Sequence, residues 1–359
     1  MSDLPTDTVL VTGATGFLGG NLARHLLAGG ARVRVLARSA SRAQPLADLG
    51  AQVITGDVTS QAAVMAAIEG TQVVYHLAGR LFEPWVPAQE YARVHIDGTR
   101  VLLDCCERAP RLTRLVHCST TGVLGPTGDR PAAEDAPVRP SNAYEETKAQ
   151  AEHLVEGAGK RGLPVVIARP GLVYGPGDLH LAPFFAAVLR RRFRPIGRRP
   201  VWLHPVYVDD LTAALRACAS DDRAVGECFH LAAPRPVTLA ELAHEIARAA
   251  GTRAAAGIIP LWTARTVARA GDLLPPRLRA SAPLTTSRLD FLTHSRVYDV
   301  SKAERLLGFT ARTDLAAGIA ETMTWYRGNG YLPPAGPAGV AALTPAYESV
   351  AADFAPRHD

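Results

Sequence analysis

The chain has 359 residues, of which 47% are hydrophobic and 20% charged, and its net charge at pH 7 is +5. This composition is that of a globular protein with a substantial core, and it excludes a disordered or fibrous chain. Only three of the 39 basic residues are lysines (Lys148, Lys160 and Lys302), so the charge is almost all arginine and by itself indicates no nucleic-acid partner.

The first half of the chain alternates short β-rich runs with helical stretches, which predicts an α/β Rossmann-type fold with a doubly wound parallel sheet. The predicted strands are Thr8–Thr12, Arg32–Ala37, Val53–Gly56, Val73–Leu77, Arg114–Ser119 and Val165–Arg169, with helices over 21–27, 88–107 and 144–159. We expect an NAD(P)-binding domain over residues 1–170 and a smaller substrate-binding lobe over 171–332. A segment near 201–217 returns to the sheet, and a loosely ordered tail covers 333–359.

The second half is less regular and richer in proline and arginine. Arginines between positions 190 and 199 form a basic cluster, either a solvated loop or a contact for an anionic substrate or cofactor phosphate. Thr238–Ala250 is predicted to be an amphipathic helix, with a Thr cap and Glu241 in its first turn. The apolar segment Leu261–Leu274, which is interspersed with arginines, fits a core-facing helix better than a membrane-surface helix.

The five cysteines argue against a disulfide framework, because their number is odd and none has C-x-x-C spacing. The N-terminal segment Met1–Pro5 is polar, and no apolar run reaches the roughly 18 residues that span a bilayer. We therefore expect a cytoplasmic, reduced location, and no metal site is predicted.

A glycine-rich turn follows the first strand, with Gly13, Gly16 and Gly19 in G-x-x-G-x-x-G spacing. Glycines let the backbone turn sharply and approach a pyrophosphate, and the following helix N-terminus supplies amide donors and a positive dipole. The alternative is a purely structural turn. The predicted dinucleotide contacts in this segment are Gly13, Thr15, Gly16, Phe17, Leu18 and Gly19.

The residues after the next three strands predict which dinucleotide binds. An acid after the second strand would indicate NAD, but this chain has Arg38 and Ser39, with Arg42 close behind. Arginine suits a 2′-phosphate, so NADP(H) is favoured and NAD(H) stays possible. Asp57 and Val58 are placed to meet the adenine. Small residues follow the fourth strand where the dinucleotide backbone must pass, at Leu77, Ala78 and Gly79.

Tyr144 and Lys148 are the candidate proton-transfer pair. Four residues apart on a helix, they share one face about one turn apart. A phenol has a pKa of about 10, and a neighbouring ammonium is expected to lower it toward working pH. A tyrosine tuned in this way can donate a proton to a carbonyl as hydride arrives, or accept one from an alcohol.

Together these residues resemble the extended short-chain dehydrogenase/reductase superfamily, its NAD-dependent epimerase/dehydratase group, over nearly all of residues 8–330. The resemblance implies a catalytic hydroxyl five residues before Gly125, at Thr120, with Ser119 the next choice. It implies that Lys148 holds the nicotinamide ribose, and that the turn with Pro170, Gly171 and Val173 lines the nicotinamide.

One position departs from the family pattern. Members often read V-N-x-x-G-T where this chain has Val94-His95-Ile96-Asp97-Gly98-Thr99. The asparagine helps position the active-site lysine and a water, so His95 either preserves this relay or plays a packing role.

The segments Pro283–Arg288 and His294–Phe309 resemble the 3β-hydroxysteroid and sterol dehydrogenase branch, and dihydroflavonol-reductase-like enzymes also fit. Sugar-nucleotide epimerases tend to carry an Arg-x-x-Asp pair, whereas this chain has Arg288 and Asp290 in a different spacing. Some aromatic residues could line an apolar pocket, although core packing suits any one of them better (Phe82, Trp85, Phe184, Phe185 and Trp202).

The sequence thus predicts an NADP(H)-dependent oxidoreductase acting on a secondary alcohol or ketone of a hydrophobic small molecule, steroid-, sterol- or flavonoid-like. The alternatives are a nucleotide-sugar epimerase or dehydratase with tightly bound NAD(P), and a non-catalytic NADP(H) sensor. No nucleic-acid partner is expected. Helices near 88–107 and 144–159 could pair with their copies, which favours a homodimer over a monomer.

Overall fold

The computed structural model describes residues 7–83, 86–275, 282 and 284–333. They form two compact units that interleave along the chain. The first unit contains the chain up to Val173, His204–Arg235 and Arg296–Arg312, and the second contains Tyr174–Leu203, Pro236–Ser295 and the chain from Thr313. Trp85, Pro283 and positions 334–359 of the predicted tail lie outside the described residues.

The first unit is built on a seven-stranded parallel sheet, which confirms the predicted fold class. Its strands are β1 (Thr8–Thr12), β2 (Arg32–Ala37), β3 (Gln52–Thr55), β4 (Val73–His76), β5 (Arg114–Cys118), β6 (Val165–Pro170) and β10 (Cys228–Leu231). Their order is β10-β6-β5-β4-β1-β2-β3. The chain winds outward from β1 to β3 and then returns to β4 on the other side of β1, which creates a topological switch point where such folds bind ligands.

Helices cover both faces of this sheet. They are α1 (Phe17–Ala28), α2 (Ala40–Ala47), α3 (Gln61–Ile68), α4 (Ala88–Ala92), α5 (Gly98–Cys106), α6 (Ala143–Lys160), α8 (Val208–Ser220) and α12 (Ser301–Leu307). Val9 and Val11 lie in one buried cluster and Leu10 in another, because successive side chains of a strand point to opposite faces. The sheet is therefore buried on both sides.

Two features of the first unit differ from the predicted elements. The seventh strand, β10, was not predicted, and it pairs with β6 through Phe229 opposite Ala168. The predicted helix over 88–107 is interrupted, since Arg93–Asp97 forms a π-helical turn between α4 and α5. Such turns insert one extra residue and often occur at functional sites.

The second unit contains α7 (Ala182–Leu189), α9 (Leu239–Ala249), α10 (Leu261–Asp272), α11 (Thr286–Thr293) and α13 (Leu315–Gly328). Its two short strands, β8 (Trp202–Leu203) and β11 (Val237–Thr238), pair antiparallel. The strands β7 (Leu172–Tyr174) and β9 (Pro205–Tyr207) pair with each other and belong to the first unit, except Tyr174. The predicted cap of α9 is confirmed: the Thr238 hydroxyl accepts from Glu241 N at 3.0 Å, and the Glu241 carboxylate accepts from Thr238 N.

In the part of the chain that the structure describes, no helix combines the length and the apolar character needed to cross a bilayer. Within the same residues, no group of three or more His, Cys, Asp or Glu side chains is placed to hold a metal ion.

Candidate active site

The glycine turn after β1 forms a backbone cradle that admits no side chains at two of its three glycines. Gly13 has φ of +74°, and a Cβ there would lie 2.6 Å from the carbonyl oxygen of Leu77. A Cβ on Gly19 would lie 2.4 Å from the carbonyl oxygen of Gly13. The turn, the N-terminus of α1 and the residues after β4 can approach this closely only because both positions are glycine.

The N-terminus of α1 is free to bind an anion. Gly16 caps the helix without any side-chain hydrogen bond, and the first turn has no acidic residue. Thr15 and Gly16 are exposed, and Phe17 and Leu18 are half-buried. Amides with no intrahelical partner and the positive end of the helix dipole fit a pyrophosphate, so these residues could hold a dinucleotide.

A buried hydrogen-bond chain fixes the residues after β4, on the other side of this cradle. The Thr12 hydroxyl lies 2.9 Å from His76 Nδ1 and accepts a hydrogen bond from Ala78 N at 3.1 Å. His76 Nε2 lies 3.0 Å from the Thr99 hydroxyl on α5. Burial, together with the charge of Lys148, lowers the pKa of His76 to about 3, so its ring is neutral. Leu77, Ala78 and Gly79 are thereby held against the end of β1.

The residues predicted to meet the adenosine lie at the carboxyl ends of β2 and β3, which are neighbours in the sheet. Ser39 caps α2 by accepting a hydrogen bond from Arg42 N at 3.3 Å. The exposed side chains of Arg38 and Arg42 form no hydrogen bond within the described residues, which leaves both guanidinium groups open to a ligand.

Asp57 faces this positive region from the end of β3. Its carboxylate accepts hydrogen bonds from the Thr59 backbone and hydroxyl at 2.9 and 2.8 Å. Partial burial acts to raise the pKa of Asp57, but these bonds and the charges of Arg93 and Arg38 outweigh burial and lower it. The next residue, Val58, is buried, and a Cβ on Gly98 would lie 2.7 Å from its side chain, which explains the glycine at that position of α5.

Tyr144 lies in the first turn of α6, and polar contacts hold this turn firmly. Asn142 caps the helix by accepting from Glu145 N at 3.0 Å. The Glu145 carboxylate accepts from Ser141 N at 2.7 Å. Three rings surround that of Tyr144, at centroid distances of 6.3 Å for Phe82, 6.0 Å for Tyr91 and 5.5 Å for His95.

Lys148 lies one turn further along α6 and is buried, with its Nζ donating a 2.6 Å hydrogen bond to the carbonyl oxygen of Cys118 at the end of β5. Burial lowers the pKa of Lys148. This contact orients the ammonium toward the carboxyl edge of the sheet, where the glycine cradle also lies.

The two hydroxyls proposed from the sequence, on Thr120 and Ser119, differ in their surroundings. The Thr120 hydroxyl is near enough to Tyr144 to act on its pKa, and it accepts a hydrogen bond from Gly122 N at 3.0 Å. The Ser119 hydroxyl is buried and has no hydrogen-bond partner among the described residues. Of the two hydroxyls, Thr120 is the one that acts on the pKa of Tyr144, which favours it as the group that contacts a carbonyl there.

The pKa of Tyr144 differs from the sequence expectation. Burial raises the pKa of Tyr144 above its ordinary value, the nearby Cys118 and Glu145 act in the same direction, and the nearby Thr120 hydroxyl offsets this rise only in part. The prediction that the Lys148 ammonium lowers the pKa of Tyr144 is therefore wrong for this arrangement. Loss of hydration on burial disfavours the charged phenolate and raises the pKa. Tyr144 is a neutral phenol, which is the form that donates a proton.

His95, the position that departs from the family pattern, connects two parts of the site from the π-helical turn. Its Nε2 accepts a hydrogen bond from Arg80 N at 3.0 Å, next to Gly79. Its Nδ1 lies 2.9 Å from the Thr147 hydroxyl on α6. Burial, with the charge of Lys148, lowers the pKa of His95 to about 3, so the ring is neutral. His95 thus holds the loop after β4 against the helix that carries Tyr144 and Lys148.

Tyr91 is a site neighbour that sequence reasoning missed. It is 1% exposed, and its hydroxyl accepts from Glu83 N and donates to Glu83 O at 2.8 and 2.9 Å. Its ring packs against that of Tyr144. The only sequence signal was its position four residues before His95, which places both on one helical face.

The turn after β6 is shaped by a close backbone approach. A Cβ on Gly171 would lie 2.1 Å from the carbonyl oxygen of His204, which accepts from Leu172 N at 2.9 Å. Pro170 ends β6 in a buried position, and Val173 follows in β7. Phe184 and Phe185, which were considered as pocket residues, pack against Phe193 and Tyr326 within the second unit.

A buried ion pair anchors α6 to the sheet. Arg169 on β6 donates from Nε to the Glu152 carboxylate at 2.9 Å and from Nη2 at 2.7 Å. The two side chains are 4% and 3% exposed. A third bond runs from Arg169 Nη1 to the carbonyl oxygen of Glu134 at 2.9 Å. This pair lies one turn beyond Lys148 and fixes the register of α6 on the sheet.

A parallel sheet with a switch point, a glycine cradle at a helix N-terminus and a Tyr-x-x-x-Lys helix define a nicotinamide-dependent enzyme of the Rossmann class. The model of the NAD dependent epimerase/dehydratase family matches residues 9–232. The chain belongs to this family, so its predicted resemblance to extended short-chain dehydrogenases/reductases is confirmed.

Named relatives cover most of the chain. It is 31% identical to the 4-hydroxy-2-methyl-3-oxo-4-farnesyl-3,4-dihydroquinoline-1-oxide ketoreductase of Stigmatella aurantiaca, over 93% of this chain and 98% of that protein. It is 30% identical to the 2-alkyl-3-oxoalkanoate reductase of Stenotrophomonas maltophilia, over 87% and 97%. It is 28% identical to the 3beta-hydroxysteroid-dehydrogenase/decarboxylase isoform 2 of Arabidopsis thaliana, over 76% and 51%.

Solved structures share the fold. MoeE5 in complex with UDP-glucose and NAD has a TM-score of 0.71 at 27% identity, and the match covers 90% of this chain and 99% of that one. The family thus includes both reductases of ketones and proteins that bind sugar nucleotides.

Proposed function

We propose that the protein is an NADP(H)-dependent oxidoreductase that interconverts a secondary alcohol and a ketone on a hydrophobic small molecule of the steroid, sterol or flavonoid kind. The observation that carries the proposal is the placement of Tyr144 and Lys148 one turn apart on α6, with the Lys148 ammonium bonded to the Cys118 carbonyl oxygen at the end of β5 and Thr120 near Tyr144. The dinucleotide, when bound, supplies or accepts hydride at its nicotinamide ring.

In this scheme, residues of the chain donate or accept the proton. In ketone reduction Tyr144 donates its phenolic proton to the carbonyl oxygen, while Thr120 hydrogen-bonds the same oxygen and positions it. The buried ammonium of Lys148 stabilises the negative charge that then remains on Tyr144. The rings of Phe82, Tyr91 and His95 exclude water from one side of the phenol, so the proton comes from Tyr144 rather than from solvent.

Two of the named relatives support an apolar ketone as the substrate. Two relatives at 30–31% identity are named as reductases, of a farnesyl-bearing dihydroquinoline oxide and of a 2-alkyl-3-oxoalkanoate. In the second unit, the Arg288 guanidinium donates to the carbonyl oxygen of Ala282 at 2.6 Å, and Asp290 lies 2.9 Å from His294 Nδ1. Both side chains are thus bonded to neighbours in the second unit and are not free to bind a nucleotide.

The function is tested by following nicotinamide absorbance with purified protein, NADPH or NADH, and 3-ketosteroids, flavanonols and nucleotide keto-sugars as substrates. Steady NADPH consumption with one class of apolar ketone is the expected result. Absence of net consumption, with cofactor that co-purifies with the protein, would contradict the proposal. It would instead favour the alternative function, an epimerase or dehydratase, which the UDP-glucose complex of MoeE5 supports.

Arg38 is proposed to bind the 2′-phosphate of NADPH. Arg38→Ala is expected to raise KM for NADPH about 10- to 100-fold, because a hydrogen bond to a charged group contributes about 1.5–3 kcal/mol. KM for NADH should change little. The measurement is the ratio of kcat/KM for NADPH and NADH, with Arg108→Ala as the control, since Arg108 is also an exposed arginine.

An equal loss for both dinucleotides in Arg38→Ala would remove the basis for NADP(H) preference. The homodimer and the cytoplasmic location stay predictions.

A further inference from the structure

An exposed apolar stripe runs along one face of α10 in the second unit. Trp262 is 71% exposed and Leu273 is 87% exposed. Because they are eleven residues apart, their side chains lie only about 20° apart around the helix axis. The opposite face of α10 is buried, where Ala264 and Ala268 pack in a cluster with Leu289 of α11. The stripe is therefore the outer face of a packed helix.

One further apolar residue extends this stripe before the start of the helix, and another is exposed about 140° around the helix axis from Trp262. Ile258 is 46% exposed and Val267 is 45% exposed. The neighbour of Ile258, Ile259, donates from N to the Pro195 carbonyl oxygen at 2.8 Å and accepts from Gly197 N at 2.9 Å. These bonds place the arginine-rich loop beside the first turn of α10.

The charge around the stripe is predominantly positive, and the one acid of α10, Asp272, is half-buried at the end of the helix, where its carboxylate accepts from Thr286 N at 3.2 Å. Segments 190–200 and 251–271 together contain nine arginines and neither Asp nor Glu. Arg265 and Arg269 are exposed on α10 between Trp262 and Leu273, about 60° and 20° around the helix axis from Trp262. Arg191 and Arg194 are exposed in the loop. Arg194 is held there by a 3.0 Å hydrogen bond from Nε to the Ala256 carbonyl oxygen.

We propose that this surface, the Trp262 surface (Ile258, Trp262 and Leu273 with the arginines of 190–200 and 251–271), binds the face of an anionic lipid membrane. An amphipathic helix with Trp and Leu on one face and arginines beside them lies in the interface between head groups and acyl chains. Arginines near an anionic leaflet add electrostatic attraction. The proposal goes beyond the proposed function and does not rest on it.

The positive charge of the Trp262 surface favours a membrane over a second copy of the chain as its binding partner. A symmetric contact between two such surfaces would place the arginines of one copy against those of the other. Like charges brought together in this way are unfavourable. An anionic lipid surface instead neutralises them while its interface accepts the apolar stripe.

The test is co-sedimentation of the full chain with vesicles of phosphatidylcholine alone and of phosphatidylcholine mixed equally with phosphatidylglycerol. We expect at least tenfold tighter binding to the anionic vesicles, weakened by added salt. A Trp262→Ser, Leu273→Ser variant should lose at least tenfold in affinity for them, and so should Arg265→Gln, Arg269→Gln. The matched control, Leu49→Ser with Arg108→Gln, changes an exposed leucine and an exposed arginine in the first unit and should bind like the wild type.

Thermal melting of each variant separates loss of binding from loss of folding, and the arginine variant changes only exposed side chains. Three results would overturn the proposal. One is no binding to either vesicle. Another is a loss in the arginine variant with none in the Trp262 and Leu273 variant, which would indicate a general polyanion site such as one for nucleic acid. The third is a concentration-dependent dimer that the Trp262 and Leu273 variant abolishes, which would indicate a contact between copies.

Discussion

Tyr144→Phe is expected to lower kcat for ketone reduction by about 10²- to 10⁴-fold, the range that general acid catalysis contributes. The change removes one hydroxyl and leaves the ring among Phe82, Tyr91 and His95, so the affinity for the dinucleotide should stay nearly unchanged. Steady-state kinetics with NADPH, combined with a titration of dinucleotide binding, measures the two effects separately.

Tyr91→Phe is the matched control for this change. It removes a hydroxyl from a ring whose centroid is 6.0 Å from that of Tyr144, but among the described residues that hydroxyl bonds the Glu83 backbone alone. Its effect on kcat should be at least tenfold smaller. Turnover that survives in Tyr144→Phe would rule out Tyr144 as the proton donor.

The pH dependence of the reaction rate tests the role of Tyr144 independently. Burial raises the pKa of Tyr144, so the phenol stays protonated from about pH 6 to 9. Reduction uses the phenol and should be flat with pH in this window. Oxidation of the alcohol uses the phenolate, whose fraction rises about tenfold per pH unit below the pKa, and the rate should rise with it. Tyr144→Phe should abolish that rise, and a rise that persists would assign the proton to another group.

Glu152→Ala is expected to lower the free energy of unfolding by about 3–5 kcal/mol. The substitution leaves the Arg169 guanidinium buried without its carboxylate, and an unpaired buried charge is strongly destabilising. Since domains are typically stable by only about 5–15 kcal/mol, the loss should be evident in a urea titration. Glu156→Ala on the same helix is the control, because the Glu156 side chain is 48% exposed and should lose less than about 0.5 kcal/mol.

A second variant separates the charge effect from a packing effect. Replacing both partners, with Glu152→Leu and Arg169→Met, should recover much of the stability, because no buried charge remains unpaired. A loss below about 1 kcal/mol in Glu152→Ala would mean that water reaches Arg169 and that the pair does not anchor α6.

The glycine turn shows how far sequence reasoning reaches at this site. Gly13, Gly16 and Gly19 could be assigned because close backbone approach has a residue requirement that is visible in the sequence. Tyr144 and Lys148 could be paired because helical periodicity alone brings them to one face. The six predicted strands appear within one residue or so of their predicted ends, since buried parallel strands are continuous apolar runs.

Other features depend on contacts between residues far apart in the chain. β10 was missed because Cys228–Leu231 is short and follows an irregular stretch, and only pairing with β6 makes it a strand. The role of His95 follows from its distances to Arg80 and Thr147, which no local pattern contains. The direction of the Tyr144 pKa shift was wrong from sequence, because burial, which raises it, is a property of the assembled site.

By itself the sequence determined the class of fold, the family, the dinucleotide cradle and the residue types available for proton transfer, because these rest on local backbone geometry and helical spacing. Only the tertiary structure decided how the two units share the chain, which hydroxyl lies beside Tyr144, and which face of α10 is exposed. Those outcomes depend on which segments pack together, and burial and desolvation exist only once they do.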